Sequence, residues 1–403
     1  QDEEQSILDV FTGAFQSFSR KPKFLRVNTP YLNGSVEGTE FVFRVEDEEA
    51  TITVLEGVVL ASNNQGELRV EPGESAQAAK GQAPQKRVVV KPRDLVQWGL
   101  YYPPVMSVAT PGDVSPAIQN AATLLSLGRV DEARAEIDAA LQKDAKSGAA
   151  YALRAVIAVA LNDNETALSD ARRAVELSPG SASAKIALSY AQQANLELAA
   201  ARDTLLQAVD QEPENALAWA RLAELHLMLG NRREATAAAE RAVALEPGLS
   251  RTQNVLGFAA LAEIRAAQAQ VAFEQAIALD SDDPMPRLGL GLAKIRQGQL
   301  EEGRADLEAA VALDSNNALL RAYLGKAYFE EKRGPLDATQ FEVAKELDPL
   351  DPTAYFYNAI SLQTENRPVE ALRELEASIE RNDNRAVYRS RLLLDQDRAA
   401  RGT

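Results

Sequence analysis

Small residues recur with a 34-residue period from about residue 115 to residue 385. The eighth position of each unit holds Ala121, Ala155, Ser189, Ala223, Gly257, Gly291, Gly325 and Ala359. The twenty-seventh holds Ala140, Ala174, Ala208, Ala242, Ala276, Ala310, Ala344 and Ser378. Two helices approach closely only where small side chains meet at their crossing. The pattern therefore predicts eight helical hairpins within residues 114–385.

One unit departs from this pattern. The twentieth position is small in the other units, but Asp337 occupies it in the seventh, just after Gly334 and Pro335. Because proline interrupts helices, we expect a distorted seventh hairpin. The eight units together resemble the tetratricopeptide repeat. That resemblance implies an all-α solenoid, a right-handed superhelix of about eight helix-turn-helix repeats with a ligand-binding concave face.

Residues before about position 107 alternate between apolar and polar side chains, which is typical of strands. The alternation predicts strands at 41–45, 51–54 and 88–90, and a hairpin whose turn is at 63–66. Residues 75–86, rich in Ala, Gln, Gly and Lys, are expected to form an exposed loop. The spacing of apolar residues over 3–18 predicts a short amphipathic helix. The fold class is therefore mixed, with a small all-β N-terminal domain ahead of the helical repeats.

Changes in composition along the chain predict the domain boundaries. We expect an N-terminal helical segment at 1–21, a β-domain at 22–100, a proline-rich linker at 101–113 and the eight repeats at 114–385. For residues 386–403 two alternatives stay open. They could form a capping helix that covers the last apolar face, or they could begin a further segment, since Leu393 falls at a position that is small in a regular repeat.

Four short motifs occur in order in the β-domain. They are Val27-Asn28-Thr29-Pro30, Val36-Glu37-Gly38-Thr39-Glu40-Phe41, Thr53-Val54-Leu55-Glu56-Gly57-Val58-Val59 and Val70-Glu71-Pro72-Gly73-Glu74. This region resembles the FecR-like domain, named after the periplasmic ferric-citrate regulator. The resemblance implies a small all-β domain outside the cytoplasm. The regulator's membrane anchor and sigma-factor-binding segment have no counterpart here, so transmembrane signalling is not expected.

Charge and composition exclude several kinds of function. The net charge of −16 argues against binding nucleic acid or anionic membranes, and no apolar run is long enough for direct membrane insertion. The chain has no cysteine, and its one histidine, His226, falls at a packing position of its repeat. A zinc site or a Cys/His nucleophile is thereby excluded. We therefore expect no catalytic residues, no cofactor and no metal.

The concave face offers candidate partner-binding residues instead. In the resembled repeat family, ligands contact the first helix of each unit at the second, fifth, ninth, twelfth and thirteenth positions. Here these positions are mostly apolar, with the isolated polar residues Lys326 and Asn254, so the clamp that other members use for acidic peptides is not expected. The predicted partner is a protein or peptide with an apolar segment. Its predicted contacts are Tyr190, Leu227, Phe258, Leu292, Phe329, Phe356 and Ile360. The alternative is that part of this row packs between neighbouring units.

These observations predict a non-enzymatic scaffold in a bacterial envelope or surface assembly. The start at Gln1 is expected to be a mature terminus, so the protein would be periplasmic or at the cell surface, with its signal peptide absent from this chain. One alternative is a periplasmic module of an outer-membrane exporter of polysaccharide or protein. Another is a self-assembling surface or filament protein, that is, a homo-oligomer.

Overall fold

The computed structural model describes residues 6–18, 24–46, 48–88, 102, 104–106, 115–126, 129–161, 163–195, 197–349 and 351–381. The chain divides into two compact units, Gln1–Trp98 and Gly99–Thr403. The first is a sheet and the second is helical. The predicted order of the two regions, a β-rich region followed by helical hairpins, is confirmed.

Eight strands form the sheet of the first unit. They are β1 (Ser6–Asp9), β2 (Gly13–Phe18), β3 (Phe24–Asn28), β4 (Asn33–Val45), β5 (Glu49–Asn63), β6 (Gly66–Val70), β7 (Glu74–Ala79) and β8 (Gln85–Val88). The strand order is β1-β3-β4-β5-β7-β8, with β2 also paired to β4 and β6 to β5. Only β1 and β3 are parallel among these described pairs. The long strands β4 and β5 therefore each have two different neighbours along one edge.

Alternating residues of β4 and β5 supply the core of the sheet. Phe41 and Phe43 on β4, together with Ile52 on β5, are fully buried. Phe15 of β2 stacks on Phe43, with ring centroids 5.8 Å apart, and meets Phe41 edge-on at 6.0 Å. The predicted strands at 41–45 and 51–54 and the hairpin across 63–66 are confirmed.

Two predictions for this unit are wrong. Residues 6–18 form β1 and β2 instead of the helix expected in the 1–21 segment. Gly13 has a φ of +103°, which breaks a helix, and β4 offers β2 a strand edge to pair with. A loop was predicted over residues 75–86, but Glu74–Ala79 form β7 and Gln85–Val88 form β8. Strand β7 forms because Ala76 and Ala78 alternate inward against β5.

Sixteen described helices form eight consecutive hairpins in the second unit. They are α1 (Pro116–Ser126), α2 (Val130–Lys143), α3 (Gly148–Ala160), α4 (Asn164–Leu177), α5 (Ala182–Ala194), α6 (Leu198–Gln211), α7 (Ala216–Met228), α8 (Arg232–Leu245), α9 (Ser250–Ala262), α10 (Ala266–Leu279), α11 (Pro284–Arg296), α12 (Leu300–Leu313), α13 (Ala318–Glu330), α14 (Leu336–Leu347), α15 (Pro352–Thr364) and α16 (Pro368–Arg381). Successive first helices also contact each other from α1 to α11 and again between α13 and α15, and α12 contacts α13, so the hairpins stack as a solenoid.

The last residue of a unit stands directly before the first helix of the next unit. Six first helices follow an N-cap whose side chain accepts a hydrogen bond from a backbone N–H of the first turn. These N-caps are Ser147, Ser181, Asn215, Asp283, Asn317 and Asp351. Helix α9 follows Leu249, which has no such bond. The register of the repeat is thus set by capping as well as by small residues.

The seventh hairpin is distorted, as predicted. Its second helix, α14, has 12 residues, whereas the other seven described second helices have 14 each. Asp337 is buried where other units place a small residue, and its Oδ2 accepts a hydrogen bond of 2.7 Å from the Ser361 hydroxyl. A polar contact therefore replaces close apolar packing in this hairpin.

The small residues at helix crossings give a direct test of the register. Ala242 and Ala276 are completely buried, so replacing either with leucine is expected to overpack the hairpin and cost roughly 1–3 kcal/mol of unfolding free energy. Ala237 in α8 is exposed, and Ala237→Leu serves as the control with little expected change. Thermal melts of the three variants check this. Unchanged melts for both buried sites would show that the assigned register is wrong.

Candidate partner-binding face

The seven predicted partner contacts all lie on first helices, but they differ in burial. Tyr190 and Phe356 are buried, with 9% and 4% of their surface exposed. The other five are half-buried, namely Leu227, Phe258, Leu292, Phe329 and Ile360. These five leave apolar surface that a partner can reach, while Phe356 packs with Ala359 and Leu375 in the core of the last hairpin.

The apolar middle of the face packs against the buried ring of Phe273. Phe258 meets Phe273 edge-on, with centroids 4.9 Å apart, and Leu292 packs against the same core cluster. Phe273 itself is fully buried. A Cβ added at Gly257 would lie 2.6 Å from the Phe273 ring, and one added at Gly289 would lie 2.1 Å away. The two glycines therefore make the space in which Phe273 supports the face.

Next to this apolar surface lies a buried polar cluster centred on Arg221 of α7. The Arg221 guanidinium stacks over the Tyr190 ring at 3.7 Å. It donates hydrogen bonds to the Ser189 hydroxyl at 3.0 Å, to Gln193 Oε1 at 2.6 Å and to Glu224 Oε2 at 2.8 Å. Because only 2% of Arg221 is exposed, its charge is neutralised by Glu224 inside the protein and not by solvent.

Arg251 of α9 extends the cluster by one hairpin. Its Nη2 donates to the Tyr190 hydroxyl at 2.8 Å and lies 2.5 Å from Glu224 Oε1. Its Nη1 lies 4.0 Å from Asp283 Oδ2 at the start of α11. Four successive hairpins are thus linked by two arginines and two carboxylates, and this part of the face carries no excess charge for a charged ligand.

Burial raises the pKa of Asp283 from 3.8 to about 6, and the charge of Arg251 opposes this rise. Burial raises the pKa of Asp314 in the same way, also to about 6. A raised folded pKa means that the folded state binds the proton more tightly than the unfolded state. The stabilisation is therefore fully present below pH 4 and is lost as the pH rises through 6.

We accordingly expect Asp283→Asn to raise stability at pH 7.5, by an amount of up to roughly 3 kcal/mol, with little gain at pH 4. Asparagine can still accept the hydrogen bond of 2.9 Å from the Met285 N–H. Thermal melts of both proteins at several pH values check this. Asp314 retains its own pH dependence in that variant, so part of the stability loss should persist. A gain that is equal at both pH values would contradict the assignment.

The far end of the face is aromatic. Tyr357 of α15 contacts Phe356 and Tyr323, with ring centroids 5.3 Å and 6.0 Å away. The Lys326 ammonium lies 5.6 Å from the centre of the Tyr357 ring and pairs with Glu330 Oε1 at 2.5 Å. Lys326 is therefore neutralised within its own helix.

Sequence reasoning missed that Arg221 and Arg251 both pair with Glu224. The two arginines stand at the sixth and second positions of adjacent first helices, where several other units have alanine, leucine or valine. The sequence signal that could have revealed this cluster was the presence of two arginines at positions that are often apolar in other units. His226 is buried in α7, with its Nδ1 3.3 Å from Asn231 Nδ2, and burial lowers its pKa. It lies at a packing position, as its place in the repeat predicted.

The described residues contain no group of three or more His, Cys, Asp or Glu side chains that could hold a metal ion. In the part of the chain that the structure describes, no helix is long and apolar enough to cross a membrane.

The family model described as tetratricopeptide repeat matches residues 119–182, 186–250 and 288–352. The helical unit is a tetratricopeptide-repeat solenoid. The matched stretches begin and end within the helical unit, and the hairpins between and after them continue the same 34-residue period. No curated protein matches the chain.

Several solved structures resemble the chain. The APC/C hetero-tetramer Cut9-Hcn1 has a TM-score of 0.54 at 19% identity, covering 70% of this chain and 55% of that chain. The human IFIT1 dimer with m7Gppp-AAAA has a TM-score of 0.48 at 16% identity, covering 66% and 71%. A tetratricopeptide repeat protein from Parabacteroides merdae has a TM-score of 0.43 at 14% identity, covering 62% and 99%. This chain spans just over half the length of the Cut9-Hcn1 chain, and the likeness is one of fold.

Proposed function

We propose that this chain is a non-enzymatic scaffold that binds an apolar segment of a protein partner on the first-helix face of its tetratricopeptide solenoid. The observation that carries the proposal is the row of half-buried apolar side chains at Leu227, Phe258, Leu292, Phe329 and Ile360. Apolar side chains that stay partly exposed in a stacked row favour contact with another protein.

The charge of the face supports the choice of an apolar partner. Arg221 and Arg251 are paired with Glu224 and Asp283, and Lys326 is paired with Glu330. An acidic peptide would have to break these pairs to gain a cation, which would leave buried charges unpaired. An apolar segment lying along Phe258 and Leu292 leaves them intact.

Alanine variants of Phe258 and Phe356 distinguish a role in partner binding from a role in packing. We expect Phe258→Ala to weaken partner association more than folding, because its ring is half-buried and at the face. Phe356→Ala removes a buried side chain and is expected to cost roughly 3–5 kcal/mol of stability. Melting temperature and partner association are measured on the same two variants. Unchanged association for a folded Phe258→Ala chain would contradict the proposal.

The location is part of the proposal. The β unit carries the four FecR-like motifs at strands and turns of the sheet, with Gly57 and Gly73 at positive φ where the motifs place glycine. We propose on this basis that the β unit is a FecR-like domain and that the protein works in the periplasm or at the cell surface of a bacterium. Fractionation of cells producing the tagged protein from its natural gene tests this. Recovery with the cytoplasmic fraction would contradict it.

Self-association is a second candidate, favoured by the last described helix. Val369, Leu372 and Ile379 of α16 are 65%, 41% and 43% exposed and fall at spacings of three and seven residues, on one side of the helix. A second copy of the chain could cover this apolar side. Light scattering across a concentration series tests it, with Val369→Glu as the variant. A monomer at every concentration would exclude this candidate.

A further inference from the structure

Strand β1 is the outermost strand at one end of the sheet, and β8 is the outermost strand at the other end. In the described part of the chain, β1 pairs with β3 alone, in parallel. All four residues of β1, Ser6–Asp9, are exposed. One long edge of β1 is therefore without a neighbouring strand among the described residues.

The pairing with β3 shows which backbone groups of β1 point to this open edge. The Val10 N–H donates to the Asn28 carbonyl oxygen at 2.9 Å, and Asp9 stands opposite Asn28 in the register. Backbone groups of alternate residues point to the same side of a strand. The N–H and C=O of Leu8 therefore face β3, whereas those of Ile7 and Asp9 face the open edge.

The open edge is apolar on both of its faces. Ile7 is 60% exposed, and Leu8, which lies on the opposite face of the strand, is 40% exposed. Phe11, just beyond the end of β1, is 76% exposed. Large apolar side chains that stay exposed beside unpaired backbone groups favour the addition of another strand.

The two ends of the sheet differ in how they are protected. Charged side chains, lysine above all, discourage pairing at an edge strand. At β8, Lys86 and Arg87 occupy the middle of the strand. Strand β1 has no cation, and its one carboxylate, that of Asp9, accepts a hydrogen bond of 2.9 Å from Asn28 Nδ2. The chain thus protects the β8 end of the sheet with charge and leaves the β1 end open.

We propose that β1 pairs antiparallel with β1 of a second copy of this chain, so that the sheet continues across a two-fold axis. The outward backbone groups belong to Ile7 and Asp9, which lie symmetrically about Leu8. In an antiparallel pair centred on Leu8, Ile7 of each copy exchanges two backbone hydrogen bonds with Asp9 of the other. This interface uses neither the apolar row nor α16, so each of the three proposals can fail alone.

The two Leu8 side chains meet at the centre of this pair. Leu8 lies on the same face of β1 as Val10, which packs against the core cluster of the sheet. The two Leu8 residues form a non-hydrogen-bonded pair, with Cα atoms about 4.5 Å apart, and their contact removes apolar surface from water. The edge is complementary to itself in hydrogen bonds and in apolar contact, and this selects a second copy as the occupant.

Engineered cysteines test the register, because the chain has no cysteine of its own. Full chains carrying Leu8→Cys or Ile7→Cys are treated with oxidised glutathione, and disulfide-linked dimer is measured on non-reducing gels. In the proposed register the two Leu8 Cα atoms are within disulfide range, whereas the two Ile7 Cα atoms are offset by about 7 Å along the strands and lie beyond it.

We expect Leu8→Cys to form the linked dimer at least tenfold faster than Ile7→Cys. Random collision would favour Ile7→Cys, because Ile7 is the more exposed of the two. Equal rates, or a faster reaction of Ile7→Cys, would therefore overturn the proposal.

Sedimentation equilibrium over a concentration series provides the second readout. Leu8→Lys brings two charges together at the centre of the pair and should weaken the dimer at least tenfold. Leu60→Lys is the matched control, since Leu60 of β5 is 42% exposed in the same sheet, and it should leave the dimer unchanged, as should Val369→Glu. A chain that is monomeric throughout would overturn the proposal. A dimer that survives Leu8→Lys, or that is lost equally with Leu60→Lys, would do the same.

Discussion

Phe273→Ala is expected to lower the free energy of unfolding by roughly 3–5 kcal/mol. The ring is fully buried and lies against both Gly257 and Gly289, so its removal leaves a cavity between the fifth and sixth hairpins. Denaturant unfolding followed by circular dichroism measures the loss. A loss below about 1 kcal/mol would mean that the two hairpins close around the cavity and that the tight packing is not needed.

A substitution at Gly289 tests the same contact from the other side. In the unaltered chain, Gly289→Ala places a Cβ 2.1 Å from the Phe273 ring and should destabilise the protein. In the Phe273→Ala background the clash is gone, and the same change should be neutral or stabilise by up to about 1 kcal/mol through helix propensity. The sign change between backgrounds is the expected result. Equal effects in both backgrounds would contradict the contact.

Glu224→Ala is the second change expected to have a large effect, at roughly 3–5 kcal/mol of stability. Glu224 accepts hydrogen bonds or ion pairs from both Arg221 and Arg251, at 2.8 Å and 2.5 Å. Its loss leaves two buried guanidinium groups with one carboxylate fewer. Desolvation makes an unpaired buried charge far more costly than an unpaired surface charge.

An exposed ion pair in the same region serves as the control. Glu214 lies 2.9 Å from Arg241, and both side chains are largely exposed. Glu214→Ala is therefore expected to change stability by about 0–1 kcal/mol. Denaturant unfolding of both variants gives the comparison. Similar losses for Glu214→Ala and Glu224→Ala would show that the buried cluster contributes no more than an ordinary surface pair.

The helical half was predictable from sequence because its packing rule is visible in single residues. A helix crossing admits only small side chains, so Ala242, Ala276 and their equivalents mark each hairpin. The same rule identified the distorted hairpin at Asp337.

The β half was less predictable because strand pairing is not local. Phe15 fits a helical pattern until β4 supplies its partner Phe43. Ala76 and Ala78 have low strand propensity, yet β5 pairs with them. The candidate site shows the same limit. Positions in the repeat place Phe258 and Leu292 on first helices, but the pairing of Arg251 with Glu224 and the stacking of Arg221 on Tyr190 depend on distances between hairpins.

Site-specific photo-crosslinking in intact cells tests the scaffold proposal most directly. A photoreactive phenylalanine is placed at Phe258, on the apolar face, or at exposed Leu206 of α6 as the control. The account predicts a discrete protein adduct from position 258, none from position 206, and loss of the 258 adduct when Leu292 is changed to glutamate in a chain that still folds. Adducts from position 206 alone, or none from 258 in a folded chain, would contradict it.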